Sequence, residues 1–180
     1  MIPLDWKLRY RLDLVLKDLT SGKTGVKTVA IIPPNYGASR LALSSLILSD
    51  YVVKLASSPE ATEMFVVGDL KIRPSLRNRF QLQNPLSAYV QLYNVGLDQT
   101  TMAPALTINY RVSRDSQLVV EWIEQGGESI DYFSPGRVIL LKALRTQNLE
   151  PGRYQLAIDI SDQITSQSAS VSQEFELVEP

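Results

Sequence analysis

The sequence predicts an all-β protein, an antiparallel β-sandwich preceded by a separate N-terminal β-hairpin. Three observations carry this. Residues 7–17 alternate apolar and polar side chains with a period of two. From Met64 onward, short apolar runs recur between turn signals, with no helical period between them. A Pro-Gly-x-Tyr stretch, Pro151 to Tyr154, stands one hairpin before Pro180, and its strand repeats a pattern already present at Tyr10.

The opening hairpin comes first in the chain. Leu8, Tyr10, Leu12, Leu14 and Leu16 fall on one face of an extended strand, while Lys7, Arg9, Arg11, Asp13 and Lys17 fall on the other. Asp18-Leu19-Thr20-Ser21-Gly22-Lys23-Thr24-Gly25 supplies turn chemistry, and its two glycines accept positive φ. Val26 to Ile32 returns as the second strand. Pro33-Pro34 ends it, because neither residue has an N–H for a ladder. Residues 35–62 are then expected to be a linker with a possible first strand. Leu41, Leu48, Val52 and Leu55 could form a helical stripe, but the β-like sequence that follows favours a strand over residues 41–55.

Residues 63–180 are expected to form the sandwich. The runs are Met64–Val67, Leu70–Arg73, Phe80–Leu82, Ser87–Val95, Leu106–Ser113, Leu118–Glu124, Val138–Lys142, Gln155–Ser161 and Val171–Val178. Gly68-Asp69, Asn84-Pro85, Asp115-Ser116, Gly126-Gly127 and Pro135-Gly136 are among the breakers between them. Ser87–Val95 is apolar on both faces, which suits a central strand. In immunoglobulin and fibronectin type III sandwiches, a tyrosine near the start of the penultimate strand bonds back to the preceding corner. Leu149-Glu150-Pro151-Gly152-Arg153-Tyr154 resembles that corner, with Pro151, Gly152 and Tyr154 as its structural residues. The full expectation is an immunoglobulin-like antiparallel β-sandwich preceded by an N-terminal β-hairpin. Tyr10-Arg11-Leu12-Asp13-Leu14 repeats the strand 144 residues earlier without the Pro-Gly. Residues 1–34 therefore read as the terminal hairpin of an upstream sandwich-like domain, with Tyr10 as its brace.

Arg9 to Asp18, Leu41 to Asp50, Tyr89-Val90-Gln91-Leu92-Tyr93-Asn94 and Leu149 to Tyr154 together resemble the C-terminal region of bacterial GWxTD-domain proteins. The Gly-Trp-x-Thr-Asp signature itself is absent. The resemblance implies one β-sandwich following another, in a protein that is secreted or in the cell envelope. It supplies no catalytic residues.

Composition narrows the chemistry. The chain has 180 residues, 44% hydrophobic and 21% charged, with a net charge of -1, so a basic face for nucleic acid or anionic lipid is not expected. No run of 18 apolar residues offers a membrane span, and Met1-Ile2-Pro3-Leu4-Asp5 is not a signal peptide. Cysteine and histidine are both absent, which removes disulfides, Ser-His-Asp triads and Cys-His pairs. Zinc loses its preferred ligands, and no cofactor is expected.

The candidate sites follow from what remains. Asp13, Asp18, Asp159 and Asp162 recur through the repeat and could serve calcium. Aspartates at strand ends ordinarily bond their own backbone, and no calcium-loop spacing is present, so turn chemistry weighs far above metal. In the loop Glu124 to Gly136, Tyr132 and Phe133 could stack on a sugar or anchor a peptide, against the simpler role of capping the core with Ile130. Lys71 to Arg79 is the main cationic concentration and reads as a solvated strand edge. Glu121 and Glu124 form a carboxylate pair of the kind any chain offers. The expected function is thus a non-catalytic structural or protein-interaction module of a larger exported protein, with self-association through the hairpin as one route. The alternative is a carbohydrate-binding module.

Overall fold

A computed structural model describes residues 4–37, 39–55, 65–67, 70–125, 132–134, 137–146 and 148–180. Among these there are fifteen strands and no helix. The chain divides into two compact units, residues 1–38 and 39–180.

The first unit is a hairpin of β1 (Tyr10–Lys17) and β2 (Thr24–Ile31). Its antiparallel register runs from Tyr10 opposite Ile31 to Lys17 opposite Thr24. The alternation seen from Lys7 becomes strand only at Tyr10. Leu8 N–H bonds the Asp5 carbonyl instead, so residues 5–8 form a turn.

The second unit is a β-sandwich. One sheet has the order β11-β10-β14-β15-β8: β8 is Arg79–Gln81, β10 Leu106–Arg114, β11 Gln117–Gln125, β14 Gly152–Asp162 and β15 Gln167–Val178. All its pairings are antiparallel except β15 with β8, which is parallel. The facing sheet has the order β12-β13-β9-β3: β3 is Ala42–Leu43, β9 Ser87–Tyr93, β12 Tyr132–Ser134 and β13 Arg137–Ala143. A further short strand, β4 (Ile47–Ser49), also pairs with β9. The first strand thus lies in one sheet and its continuation, β8, lies in the other beside the last strand. That division, with β14 and β15 as penultimate and last strands, matches the immunoglobulin-like expectation.

Period-two alternation sends one row of each strand inward. Leu106, Ile108, Tyr110 and Val112 of β10 and Tyr154, Leu156, Ile158 and Ile160 of β14 meet Val90, Leu92, Val138 and Leu140 of the opposite sheet. Each such aliphatic side chain contributes roughly 1.5–3 kcal/mol by leaving water. Tyr110 stacks on Trp122 at 4.7 Å, and Tyr154 on Phe175 at 5.6 Å.

The strand favoured over a helix for residues 41–55 is present. Ala42–Leu43 and Ile47–Ser49 pair with β9, and Leu41, Leu46 and Leu48 enter the main core, so residues 41–49 supply the first strand of the sandwich. The helical spacing of its leucines is the by-product of a kinked strand whose two halves both reach inward.

A third sheet, β5-β7-β6, is inserted between β4 and β8: β5 is Val52–Lys54, β6 Val66–Val67 and β7 Leu70–Ile72. It covers the outer side of β9 and β13. Ile72 meets Tyr89 and Ile139 there, with Val52, Phe65 and Leu141 around them. Phe65 packs edge-on against Tyr89 at 6.2 Å. The buried hydroxyl of Ser49 lies 2.6 Å from the Arg73 carbonyl and accepts the Tyr51 N–H, tying the insert to the sandwich. This is why β9 is apolar on both faces: Ala88, Val90 and Leu92 serve one core and Tyr89 the other.

Candidate functional site

Each of the four aspartates of the repeat is already engaged. Asp13 accepts from Arg11 Nε at 3.0 Å and Thr28 Oγ1 at 2.6 Å. Asp159 accepts from Arg111 Nη2 at 2.6 Å and Ser170 Oγ at 2.7 Å. Asp18 and Asp162 each close the turn of a hairpin. Asp18 Oδ1 takes the N–H groups of Thr20 and Ser21, and Oδ2 takes the Ser21 hydroxyl. Asp162 Oδ1 takes the N–H groups of Ile164 and Thr165, and Oδ2 takes the Thr165 hydroxyl and the Gly96 N–H at 2.7 Å.

A third turn of this design, which the apolar pattern does not reveal, sits at Asp98. Its carboxylate accepts from Thr100 N–H, Thr101 N–H and the Thr101 hydroxyl. At Asp18 and Asp98 the same two backbone bonds close the loop: Gly22 and Met102 N–H to the aspartate carbonyl, and the aspartate N–H to Lys23 and Ala103. The fifth residue of each turn has positive φ: Gly22 at 69°, Met102 at 54° and Ser166 at 55°. The signal legible in sequence is Asp with Ser or Thr three residues later.

These bonds fix the electrostatics. The Ser21 hydroxyl and the backbone N–H donors hold the Asp18 carboxyl below its ordinary value. The Thr101 and Thr100 N–H groups and the Thr101 hydroxyl do the same for Asp98. At Asp162 burial pushes the carboxyl up, but the Gly96, Thr165 and Ile164 donors outweigh it and the net shift is downward. Such carboxylates have spent their lone pairs on their own backbone. Among the described residues no group of three or more acidic side chains gathers into a metal site.

The tyrosine corner is present. The Tyr154 hydroxyl donates to the Glu150 carbonyl at 2.8 Å, four residues upstream. Gly152 has a φ of 156°, and a Cβ there would meet the Arg114 guanidinium at 3.1 Å, so the Pro151-Gly152 corner needs its glycine. Tyr10 makes a related closure with opposite polarity, its hydroxyl oxygen accepting the Asp5 N–H at 2.7 Å. Both tyrosines act as braces.

Tyr132 and Phe133 were expected in a loop. Their backbone instead forms β12, the edge of its sheet, with Tyr132 opposite Ile139 and Phe133 opposite Val138. Residues 126–131, 135 and 136 of that loop, Ile130 included, lie outside the described residues. The carboxylates of Glu121 and Glu124 are engaged separately. Glu121 accepts from Asn109 Nδ2 at 2.9 Å, while Glu124 lies 3.5 Å from Lys142 Nζ. A three-residue spacing on a strand sends side chains to opposite faces, which is wrong for a two-carboxylate site. The cationic stretch is likewise dispersed: Arg73 lies over the Tyr51 ring at 4.3 Å and Arg79 pairs with Glu176 at 3.5 Å.

An open groove of about 700 Å³ lies on the β10-β14-β15 sheet, lined among others by Arg77, Arg153, Tyr154, Glu174 and Glu176. Its charges are mixed.

The larger unfilled surface is on the hairpin. On one face Leu14 is 46% exposed and Leu16 76%; on the other Val15 is 64% exposed and Val26 67%. No protein-family model and no curated protein matches the chain. Among the described residues no helix is long and apolar enough to cross a membrane.

Proposed function

We propose that the chain is a non-catalytic structural or protein-interaction module of a larger exported bacterial protein, and that the β1–β2 hairpin is its binding surface. The exposed Leu14 and Leu16 of that hairpin carry the reading. A two-stranded sheet is marginal on its own in water, and each aliphatic side chain covered by a partner would contribute roughly 1.5–3 kcal/mol. The aspartate turns and the tyrosine braces favour a scaffold role for the residues that otherwise look chemical. Export and a bacterial source rest on the resemblance to the C-terminal region of GWxTD-domain proteins.

The test sets this against sugar binding. A fluorescent dye for exposed apolar surface should bind the chain, and Leu14→Ser with Leu16→Ser should abolish that binding. Electrophoresis through polysaccharide-containing gels should show no retardation. Retardation that Tyr132→Ala or Phe133→Ala removes would overturn the reading in favour of a carbohydrate-binding module.

A further inference from the structure

The two hairpins share more than composition. Adding 144 to each number carries the whole register of β1–β2 onto β14–β15: Tyr10 opposite Ile31 becomes Tyr154 opposite Phe175, and Lys17 opposite Thr24 becomes Ser161 opposite Ser168. The turn aspartate maps from Asp18 to Asp162, the positive-φ residue from Gly22 to Ser166, and the braced tyrosine from Tyr10 to Tyr154. The leucine row Leu12, Leu14, Leu16 maps onto Leu156, Ile158, Ile160, which are at most 1% exposed.

The C-terminal copy therefore shows what covers this surface. Along its β14 edge lies the antiparallel strand β10, and over its inner face lies the apolar side of the β9–β13 sheet. On the β15 edge lies the parallel strand β8, joined through Glu176, Leu177 and Val178. The positions matching those three are Ile32, Pro33 and Pro34, and the two prolines cannot donate to a ladder. The stretch where a counterpart of β8 would join is thus without two ladder donors, while nothing of the kind interrupts the β1 edge.

Resting on the interaction reading above, we propose that β1–β2 is the last hairpin of a second immunoglobulin-like sandwich. Its partner is an open sandwich domain that lacks its own last two strands. That partner supplies an apolar sheet for the leucine row and an antiparallel strand along β1. Lys27 stands where the second copy has Val171, a partly buried position, so its stem covers apolar surface while the ammonium reaches water. Residues 4–37 carry six lysines and arginines against three aspartates, which favours an acidic outer side on the pairing strand.

The first test is an equal-length exchange in the intact chain, with residues 154–175 replaced by residues 10–31. The expected result is a single cooperative unfolding transition at reduced temperature. The control inserts residues 9–30, which turns the leucine row outward and should abolish the transition. If the in-register and shifted exchanges behave alike, the proposal fails. The second test uses the unaltered chain: a synthetic peptide of residues 105–114, the β10 sequence, is titrated while backbone amides are followed by NMR. Shifts at Tyr10–Lys17 that spare β2 are expected. Shifts confined to β11, or none, overturn it. So does concentration-dependent self-association in sedimentation that Leu14→Ser removes, because the occupant would then be a second copy. Dye binding that persists while both tests fail would leave the hairpin a binding surface for another kind of partner.

Discussion

The hairpins β1–β2 and β14–β15 carry one local code and have opposite surroundings. Their register, turn aspartate, positive-φ position and braced tyrosine correspond residue for residue. Yet Leu16 is 76% exposed and its counterpart Ile160 is 0% exposed. Local chemistry is therefore sufficient to shape the hairpin, whereas burial comes from the strands that arrive beside and above it. The difference locates the stability of the second unit in β10 and the β9–β13 sheet rather than in the hairpin's own bonds.

The widest way to break the comparison is to truncate matched leucine-row positions. Leu156→Ala or Ile158→Ala should cost about 2–5 kcal/mol of unfolding free energy, because each leaves a cavity in a closed core. Leu12→Ala or Leu14→Ala should leave the sandwich transition within about 0.5 kcal/mol, as expected away from packed features. Chemical denaturation followed by Trp122 fluorescence measures both. Equal losses at matched positions would show that the hairpins do not differ in cover.

Next comes the turn at Asp162, which differs from Asp18 by one long-range partner. Gly96 donates to Asp162 Oδ2, and a Cβ on Gly96 would stand 2.7 Å from Thr165 Cγ2 and 3.0 Å from Ile164 Cβ. Gly96→Ala and Asp162→Ala should each cost about 1–3 kcal/mol, the second by removing the shared acceptor of the Gly96, Ile164 and Thr165 N–H groups. The pH dependence has a defined sign. Asp162 titrates lower in the folded state than in the unfolded chain, so its stabilisation is complete above the unfolded value of about 3.9 and is lost as pH falls through the folded one. Asp162→Asn should flatten the acid limb of the stability profile. An unchanged limb would remove Asp162 from the acid response.

The legibility of the sequence follows the same division between local and distant causes. Period two at Tyr10–Lys17, the Pro-Gly corner and the strand runs were legible because each rests on neighbours in sequence. Leu41, Leu48, Val52 and Leu55 also fit a helical stripe; the strand favoured there is present, and pairing with β9 is what decides. Tyr132 and Phe133 were placed in a loop because glycines and a proline surround a three-residue strand whose existence depends on β13. The Asp98 turn carries no apolar signature, and its one mark in the sequence is that Asp98 and Thr101 repeat the spacing of Asp18 and Ser21. The inserted sheet β5-β7-β6 explains the two-sided apolar strand, but its covering role comes from contacts distant in sequence.

A smaller effect separates the corners. Tyr154→Phe removes the bond from a buried tyrosine to the Glu150 carbonyl and should cost about 0.5–1.5 kcal/mol, whereas Tyr10→Phe should leave the sandwich transition in place. Amide exchange at residues 150–154 reports the first. A corner as well protected in Tyr154→Phe as in the parent chain would show that Gly152 and packing on Phe175 hold it without the hydroxyl.

The finest comparison is among the three aspartate turns at their fifth residue. Gly22 meets positive φ without a Cβ penalty, while Met102 and Ser166 adopt φ of 54° and 55° against it. Met102 is also 60% exposed, so little packing compensates for the strain. Met102→Gly and Ser166→Gly should each stabilise the chain by about 0.5–1 kcal/mol, partly offset by glycine's larger unfolded-state entropy. Gly22→Ala should destabilise the first hairpin, although open space surrounds that position, because backbone strain is then the sole cost. A neutral result at all three positions would mean that the carboxylate bonds, and not the fifth residue, set the turn.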